Sequence, residues 1–252
     1  MLYIISLLFA SYLSLGQAFL FALHQQCWHE YPLSTVNFQS SRAGHDAEYV
    51  QRSHRLMSGL VKETASSKHD FAPWSFPPIC TKTLQTIGSK LCVYTKTSFS
   101  NGRGISIFTT PELARLFLTL PPLHDPTFPY PNINEFSGNW YTDILPGKGT
   151  GMLAKKNLQF KERVTAYTPA LIAFLESELS TSERERFFTI AVSQLPQATR
   201  KMYLSLATVY GIDSVKYQDV VKANTFQLEI DGHNHLAVYP ETSRLNHDCS
   251  PK

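Results

Sequence analysis

NTFQLEIDGHNHLAVYP, residues 224–240, contains two apolar-rich segments on either side of Asp231-Gly232. Asp-Gly is a strong signal for a two-residue turn between antiparallel strands, because both residues tolerate the positive φ that such a turn needs. The stretch therefore predicts a β-hairpin near the carboxyl end of the chain.

Three helices are predicted before this hairpin. The first runs from Ser180 to Leu195, where Ser182 and Glu185 have the spacing of a capping box. The second covers Ala198 to Tyr210, and the third covers Ser214 to Ala223 and leads into the hairpin. Because the chain before these helices alternates between turns and strands, the predicted fold class is α+β.

The segment from residue 71 onward has a different texture. CVYT begins a strand, and SNGRGISIFTTPELARLF predicts a Gly-rich turn, a strand at Ile105 to Phe108, and a helix with Thr110 as N-cap and Pro111 at its first position. The following stretch, PPLHDPTFPYPNINEFSGNW, contains five prolines and is interpreted as a linker or extended arm.

The amino terminus has the composition of a secretory signal. An apolar run from Leu2 to about Leu15 is followed by the small residues Gly16 and Ala18, which predicts cleavage after Ala18 and export into an oxidising compartment. A membrane anchor is the alternative, because apolar residues resume after Ala18 and the whole stretch approaches the roughly 20 residues that span a bilayer. An intracellular location would follow if neither interpretation holds.

Four cysteines are present, at positions 27, 80, 92 and 249. Cys80 and Cys92 flank a turn signal at Ile87-Gly88-Ser89, so a disulfide that closes a hairpin is predicted for a secreted chain. Two ordinary buried thiols are the alternative.

Charge gives no sign of nucleic-acid binding. The 252 residues carry a formal net charge of +3, and their Lys and Arg residues are scattered rather than clustered. We therefore expect no direct nucleic-acid partner, although a histone tail stays a candidate protein partner.

GKGTGM, residues 147–152, is the first stretch with a chemical interpretation. Closely spaced glycines let a backbone approach a ligand, and their amides can cradle polar groups. The stretch lacks the Walker spacing and precedes a strand rather than a helix, so neither common nucleotide motif applies. On spacing alone, a tight turn is the better explanation.

RLNHDCSP, residues 244–251, changes that interpretation when it is combined with GKGTGMLA. Together they resemble the first motif and the NHxCxPN motif of the SET-domain lysine methyltransferases, and most closely the fungal SET proteins related to the SET-and-MYND group. VKANTFQLEI and HLAVYPETS match the stretch leading into the second motif. The resemblance spans about Leu145 to Lys252, and CVYT with GRGISIFTTPELA is similar to an amino-terminal module of those fungal chains.

The resemblance implies a SET-domain fold of short, mostly antiparallel strands in small sheets, formed by Leu145 to Pro169 and Asn224 to Lys252, with Ser180 to Ala223 inserted as helices. It implies a cofactor, S-adenosylmethionine, and a protein-lysine substrate. It also implies that the cofactor site is formed by Lys148, Gly149, Thr150, Gly151, Asn224, Ser243, Asn246 and His247. Asn246 and His247 would lie in a knot-like crossing of the chain, where polar side chains satisfy buried backbone groups. A purely structural role in that crossing is the alternative for His247.

Two other interpretations of the polar clusters are weaker. His247-Asp248-Cys249 has the residue types of a cysteine nucleophile site, but such sites assemble from distant parts of a chain. Asp231-Gly232-His233-Asn234-His235 has potential metal ligands, but a hairpin tip with solvated histidines explains it better. No metal site is predicted, and Cys249 alone cannot form the zinc site of the SET-and-MYND relatives.

The composition and the resemblance together predict a division of the chain. Residues 1–18 are the signal peptide, 19–70 a loosely ordered lead-in, 71–142 an amino-terminal Cys-containing module with the Pro-rich linker, and 143–252 a partial SET domain with a helical insert at 180–223.

The family motif continues past Pro251 toward a strand and a Tyr that organises methyl transfer. We therefore expect these 252 residues to be catalytically inactive or nearly so. The alternative function is a secreted, non-catalytic SET-like binding module. For either function, we expect no membrane partner after signal cleavage.

Overall fold

The computed structural model describes residues 71–147 and 149–246, which form an α+β fold built from small sheets, as the sequence predicts. The strands are β1 (Ile79–Cys80), β2 (Cys92–Lys96), β3 (Ile105–Thr109), β4 (Trp140–Leu145), β5 (Gly149–Ala154), β6 (Leu171–Phe174), β7 (Thr225–Ile230) and β8 (His233–Val238). The helices are α1 (Pro111–Thr119), α2 (Pro121–His124), α3 (Thr181–Ser193), α4 (Gln197–Leu204) and α5 (Lys216–Asn224). Shorter helical turns occupy Phe99–Gly102, Asp213–Val215 and Thr242–Arg244.

Six of the strands form one sheet in the order β1-β2-β3-β6-β8-β7, and β4 pairs with β5 in a separate two-stranded sheet. Every pair is antiparallel except β3 and β6, which run parallel. A parallel pair needs a long crossover, and here the chain between β3 and β6 contains α1, α2 and the β4–β5 hairpin. The expectation of short, mostly antiparallel strands is confirmed.

The hairpin predicted at Asp231-Gly232 is formed by β7 and β8. Ile230 and His233 are paired across the turn, so Asp231 and Gly232 are its two central residues. Their φ values are 50° and 74°, which is the backbone that a two-residue turn of this kind requires.

The helices lie close to their predicted places, with two corrections. The second predicted helix, α4, ends at Leu204 rather than at Tyr210. The amides of Val209 and Tyr210 donate to the Asp219 carboxylate instead of to helix carbonyls. Thr110 caps α1 by accepting from the Leu113 amide, and Pro111 occupies the first position, as predicted. The capping box of α3, however, joins Ser180 and Glu183 rather than Ser182 and Glu185. Ser180 has the extended backbone that an N-cap needs, whereas the other predicted pair lies inside the helix.

Glu185 has a different structural role. Its carboxylate faces the start of α5 and accepts from the amides of Tyr217 and Gln218, both at 2.9 Å. Burial is the main reason that the pKa of Glu185 is raised to about 7, although these hydrogen bonds act in the opposite direction.

The six-stranded sheet is covered on both faces. On one face, Phe108 of β3 and Leu171 of β6 pack with Phe187 of α3. On the other face, Ile107 of β3 and Ile172 of β6 pack in the cluster that contains α1. Burial on both faces explains why LIAF is continuously apolar. The two polar residues of ISIFT are hydrogen-bonded inside the protein, Ser106 to the Ala191 carbonyl and Thr109 to His235.

The Pro-rich stretch is not a free linker, which corrects the sequence interpretation. Leu123 and Phe128 are buried in the core cluster on the α1 side of the sheet. Asn134 donates to Ser100 Oγ at 2.6 Å and accepts from the Thr168 amide at 2.7 Å, so its side chain ties this stretch to two distant segments. Apolar side chains between the prolines supply the packing that proline content alone does not predict.

Cys80 and Cys92 are directly paired residues of β1 and β2 and are joined by a disulfide, with a Cα–Cα distance of 4.0 Å. The strands of the amino-terminal part share one sheet with β6, β7 and β8, and the predicted boundary between residues 142 and 143 falls inside β4. The predicted signal peptide and lead-in lie outside the described residues, as do Cys27 and Cys249. Across residues 71–147 and 149–246, no helix has both the length and the apolar character needed to cross a membrane.

Candidate functional site

The Gly-rich stretch is the turn and second strand of the β4–β5 hairpin. Leu145 pairs with Gly149, and Asp143 pairs with Gly151. Gly147 and Gly149 have φ values of 72° and 68°, a backbone conformation that residues other than glycine rarely adopt. Lys148 lies outside the described residues.

Gly149 and Gly151 are glycines for different reasons. A Cβ on Gly149 would meet nothing within 4 Å, so the space beside this residue is open. A Cβ on Gly151 would lie 2.7 Å from Asn246 Nδ2 and 2.7 Å from Leu145 Cδ1. Gly151 therefore allows the close approach of Asn246, which is 95 positions away in the sequence.

Ser243 and Asn224 are also brought together. The Ser243 hydroxyl donates to the Asn224 carbonyl at 2.8 Å. The side-chain amide of Asn224 donates to the carbonyls of Ala207 and Val220, both at 2.7 Å. The Asn224 amide nitrogen is therefore engaged inside the protein, and a contact with a ligand would fall to its Oδ1.

An ion pair that the sequence analysis missed holds the same segment in place. Arg103 Nη1 donates to Glu241 Oε1 at 2.6 Å, and the second oxygen of Glu241 accepts from Nη2. Their side chains are only 11% and 15% exposed. The guanidinium also donates to the Thr168 carbonyl at 3.4 Å and lies 5.6 Å from the ring centroid of Tyr167.

The segment after β8 is anchored at further points. Arg244 donates to the carbonyl and hydroxyl oxygens of Ser205, at 3.0 and 2.7 Å. Burial lowers the pKa of Arg244 and raises the pKa of Tyr239 to about 12. Residues 239–246 are thus fixed to the end of α4, to the end of α5 and to the turn before β3, and they pack against β5. We call this stretch the anchored segment.

Apart from Lys148 and Gly149, the predicted site residues fall into three groups. Ser243 and Asn246 belong to the anchored segment. Asn224 accepts a hydrogen bond from Ser243, and Gly151 lies against Asn246, so these four residues form the first group. Thr150 is exposed and, because side chains alternate along a strand, lies on the opposite face of β5 from Gly151. His247, and with it the Asp248-Cys249 pair of the nucleophile interpretation, lies outside the described residues.

The interpretation of solvated histidines at the hairpin tip is wrong for one of them. His233 is exposed, but His235 is fully buried on β8, between β6 and β7. Its Nδ1 lies 3.0 Å from the His233 carbonyl and its Nε2 lies 3.1 Å from Thr109 Oγ1. In the part of the chain that the structure describes, no three His, Cys, Asp or Glu side chains are arranged to hold a metal ion.

Sequence offered little that could have revealed the Arg103–Glu241 pair. The two residues are 138 positions apart, and Arg103 belongs to a Gly-rich turn where a solvated side chain is the ordinary expectation.

Comparison with protein-family models, with curated proteins and with solved structures found no match to this chain.

Proposed function

We propose that this chain is a SET-domain protein of the S-adenosylmethionine-dependent protein-lysine methyltransferase type. The observation that carries the proposal is the close approach of Gly151 and Asn246. These residues belong to the two motifs on which the resemblance rests, and a shared ligand site requires those motifs to meet. The bond between Ser243 and Asn224 supports it further, because it joins two more residues of the predicted site.

The residues present fit a ligand at one point in particular. The open space beside Gly149, together with its positive φ, provides exposed backbone that a polar ligand can approach. The backbone of β5 and the side chain of Asn246 would hold S-adenosylmethionine, which supplies a methyl group on a positively charged sulfur. The Arg103–Glu241 pair would keep the anchored segment, and therefore Asn246, in position. The acceptor lysine must lose its proton before it can react, since its ordinary pKa is about 10.4.

Gly149→Ala tests the cofactor site. We expect S-adenosylmethionine to bind the unchanged protein and the variant to bind at least about tenfold more weakly, because the added methyl group fills the open space. Isothermal titration calorimetry with S-adenosylmethionine measures the affinity, and chemical denaturation measures the free energy of unfolding.

Gly88→Ala is the matched control. Gly88 has a φ of 61°, and a Cβ added there would also meet nothing within 4 Å, so both variants carry the same strain of about 1–2 kcal/mol. Only Gly149→Ala should change the affinity. Equal affinity in the two variants would contradict the proposed place of the cofactor, and no binding by the unchanged protein would favour the SET-like binding module.

Methyl transfer is tested separately from binding. Residues 1–252 are incubated with labelled S-adenosylmethionine and mixed histones, beside a chain extended through the strand and Tyr that the resemblance places after Pro251. We expect little incorporation by the first protein and clear incorporation by the second, since the Tyr organises the reaction. Comparable incorporation by both would show that methyl transfer does not depend on that segment.

A further inference from the structure

The exposed apolar side chains of this protein are unevenly distributed. Among the large apolar residues that the structure describes, the three most exposed are Ile144, Phe160 and Phe136, at 79%, 78% and 56%. All three lie within residues 136–163. Single exposed apolar residues are ordinary, but a cluster of the most exposed ones indicates an interaction surface.

The same segment is also basic. Residues 136–163 contain five basic and two acidic residues, a net charge of +3, which equals that of the whole protein. Lys155, Lys156 and Lys161 are exposed. One of the acids, Glu162, is already engaged, because it pairs with Lys156 at 2.9 Å and accepts from the Gln159 amide at 3.0 Å.

Contacts join these residues into one surface. Phe136 packs edge-to-face on Trp140 with 4.8 Å between ring centroids, and Lys155 Nζ lies 5.4 Å from the centroid of Phe136. Asn139 connects this end of the β4–β5 hairpin to the turn that carries Phe160, by donating to Glu162 Oε1 at 3.2 Å. Lys161 lies over Phe160 itself, with its Nζ 5.4 Å from the ring centroid. Along β4, Ile144 lies on the same face as Trp140 because side chains alternate.

We propose that residues 136–163 form a docking surface for an anionic lipid bilayer. Bulky apolar side chains at exposed turns can enter the boundary between headgroups and acyl chains, while flanking lysines contact the phosphates. Phosphate contacts alone would also suit nucleic acid, but the highly exposed aliphatic Ile144 adds neither charge nor a stacking surface. This inference is independent of the proposed function and differs from the expectation that the mature chain has no membrane partner.

The test uses the full chain and vesicles of phosphatidylcholine with or without about 30% phosphatidylserine. Hydrogen exchange read by mass spectrometry reports each segment separately, so binding through the apolar residues 2–15 does not mask the result. We expect anionic vesicles to slow exchange in residues 136–163, and neutral vesicles to do so less. Absence of protection in this segment with anionic vesicles would overturn the proposal.

Two sets of variants separate the charged and apolar contributions. In one variant, Lys155, Lys156 and Lys161 are all replaced with Glu. Each replaced lysine should raise the vesicle concentration needed for half-maximal protection by a factor of about five or more. The same change at Lys82, Lys90 and Lys201, which are also exposed, alters the net charge equally and should leave protection unchanged. An equal loss in the control would show that only overall charge matters and would overturn the proposal.

Phe160→Ser and Ile144→Ser should each weaken binding by roughly tenfold, because each removes apolar surface that would enter the bilayer. Ile212→Ser is the matched control, since Ile212 is 45% exposed on another part of the molecule. Single-stranded RNA is the competing probe. A polyanion site would be identified instead by two results together. RNA would protect residues 136–163 equally in the unchanged protein and in the two serine variants, and the serine substitutions would not weaken vesicle binding. These results would overturn the proposal.

Discussion

Arg103→Ala is expected to lower the free energy of unfolding by about 3–5 kcal/mol, because it leaves the carboxylate of Glu241 mostly buried without its cation. Both side chains of the pair are less than one-sixth exposed, so solvent screens the pair weakly. The variant also removes the donor to the Thr168 carbonyl and the cation over Tyr167. Urea denaturation followed by circular dichroism measures the change.

The exposed ion pair between Lys156 and Glu162 provides the control for Arg103→Ala. Lys156 has a side chain that is 55% exposed, so Lys156→Ala should cost no more than about 1 kcal/mol. A loss of similar size in both variants would show that the burial of Arg103 has no energetic consequence. If Arg103→Ala does not fold, Arg103→Lys keeps the charge while losing the two-pronged contact, and should show an intermediate loss.

The same ion pair connects stability to the candidate site. Glu241 precedes the turn that contains Ser243, and Asn246 follows that turn. Arg103→Lys should therefore weaken S-adenosylmethionine binding even under conditions where the protein is folded. A folded variant with unchanged affinity would mean that the anchored segment does not need Arg103 to hold Asn246.

His235 is expected to make the protein sensitive to acid. Burial is the main reason that the pKa of His235 is lowered to about 4. The hydrogen bond to the His233 carbonyl opposes this shift, and the charge on the His233 ring adds to it. In the unfolded chain the pKa is about 6.5, so between these values the unfolded state binds a proton that the folded state does not. The contribution of His235 to stability is therefore complete above about pH 6.5 and is lost as the pH falls toward 4. The expected loss is about 3 kcal/mol.

Two variants isolate this effect. His235→Asn removes the titrating group, so the difference in free energy of unfolding between the unchanged protein and this variant should shrink as the pH falls from about 7 to about 4. His233→Asn is the matched control, because His233 lies on the same strand but is exposed, and its difference should change less over this pH range than the difference for His235→Asn. The difference is needed because Glu185 acts in the opposite direction: its pKa is raised to about 7, so its protonation favours the folded state as the pH falls. A pH-independent difference for His235→Asn would contradict the prediction.

Local sequence signals predicted much of the secondary structure. Asp231-Gly232 predicted the turn between β7 and β8 because this turn requires a positive φ at both central residues, and few other residue pairs adopt it. Thr110-Pro111 began α1 because a hydroxyl cap and a proline at the first position satisfy the helix start with nearby atoms only. The capping box of α3 was misplaced by two residues because two Ser-x-x-Glu pairs near Ser180 offer the same spacing, and only the backbone conformation of Ser180 shows which serine is the N-cap.

The candidate site was predicted only in part. The two motifs named the residues, and Gly151 and Asn246 do meet, but a motif does not specify what surrounds it. Asn224 illustrates the limit, because its side-chain amide nitrogen is engaged by two carbonyls of the protein. The bond to Val220 is local to α5, but the bond to Ala207 depends on how α4 and α5 pack, which the local sequence does not encode.

The sequence by itself determined the α+β class, the hairpin at residues 225–238 and the helices between β6 and β7, because each depends on patterns within a few residues of one another. The tertiary structure alone decided which distant residues became partners. It paired β3 with β6 in parallel and placed Arg103 against Glu241. It also buried the side chain of His235 on β8 within hydrogen-bond distance of Thr109 on β3. These pairings are set by how the two faces of the six-stranded sheet are covered, and that covering depends on the packing of the whole chain.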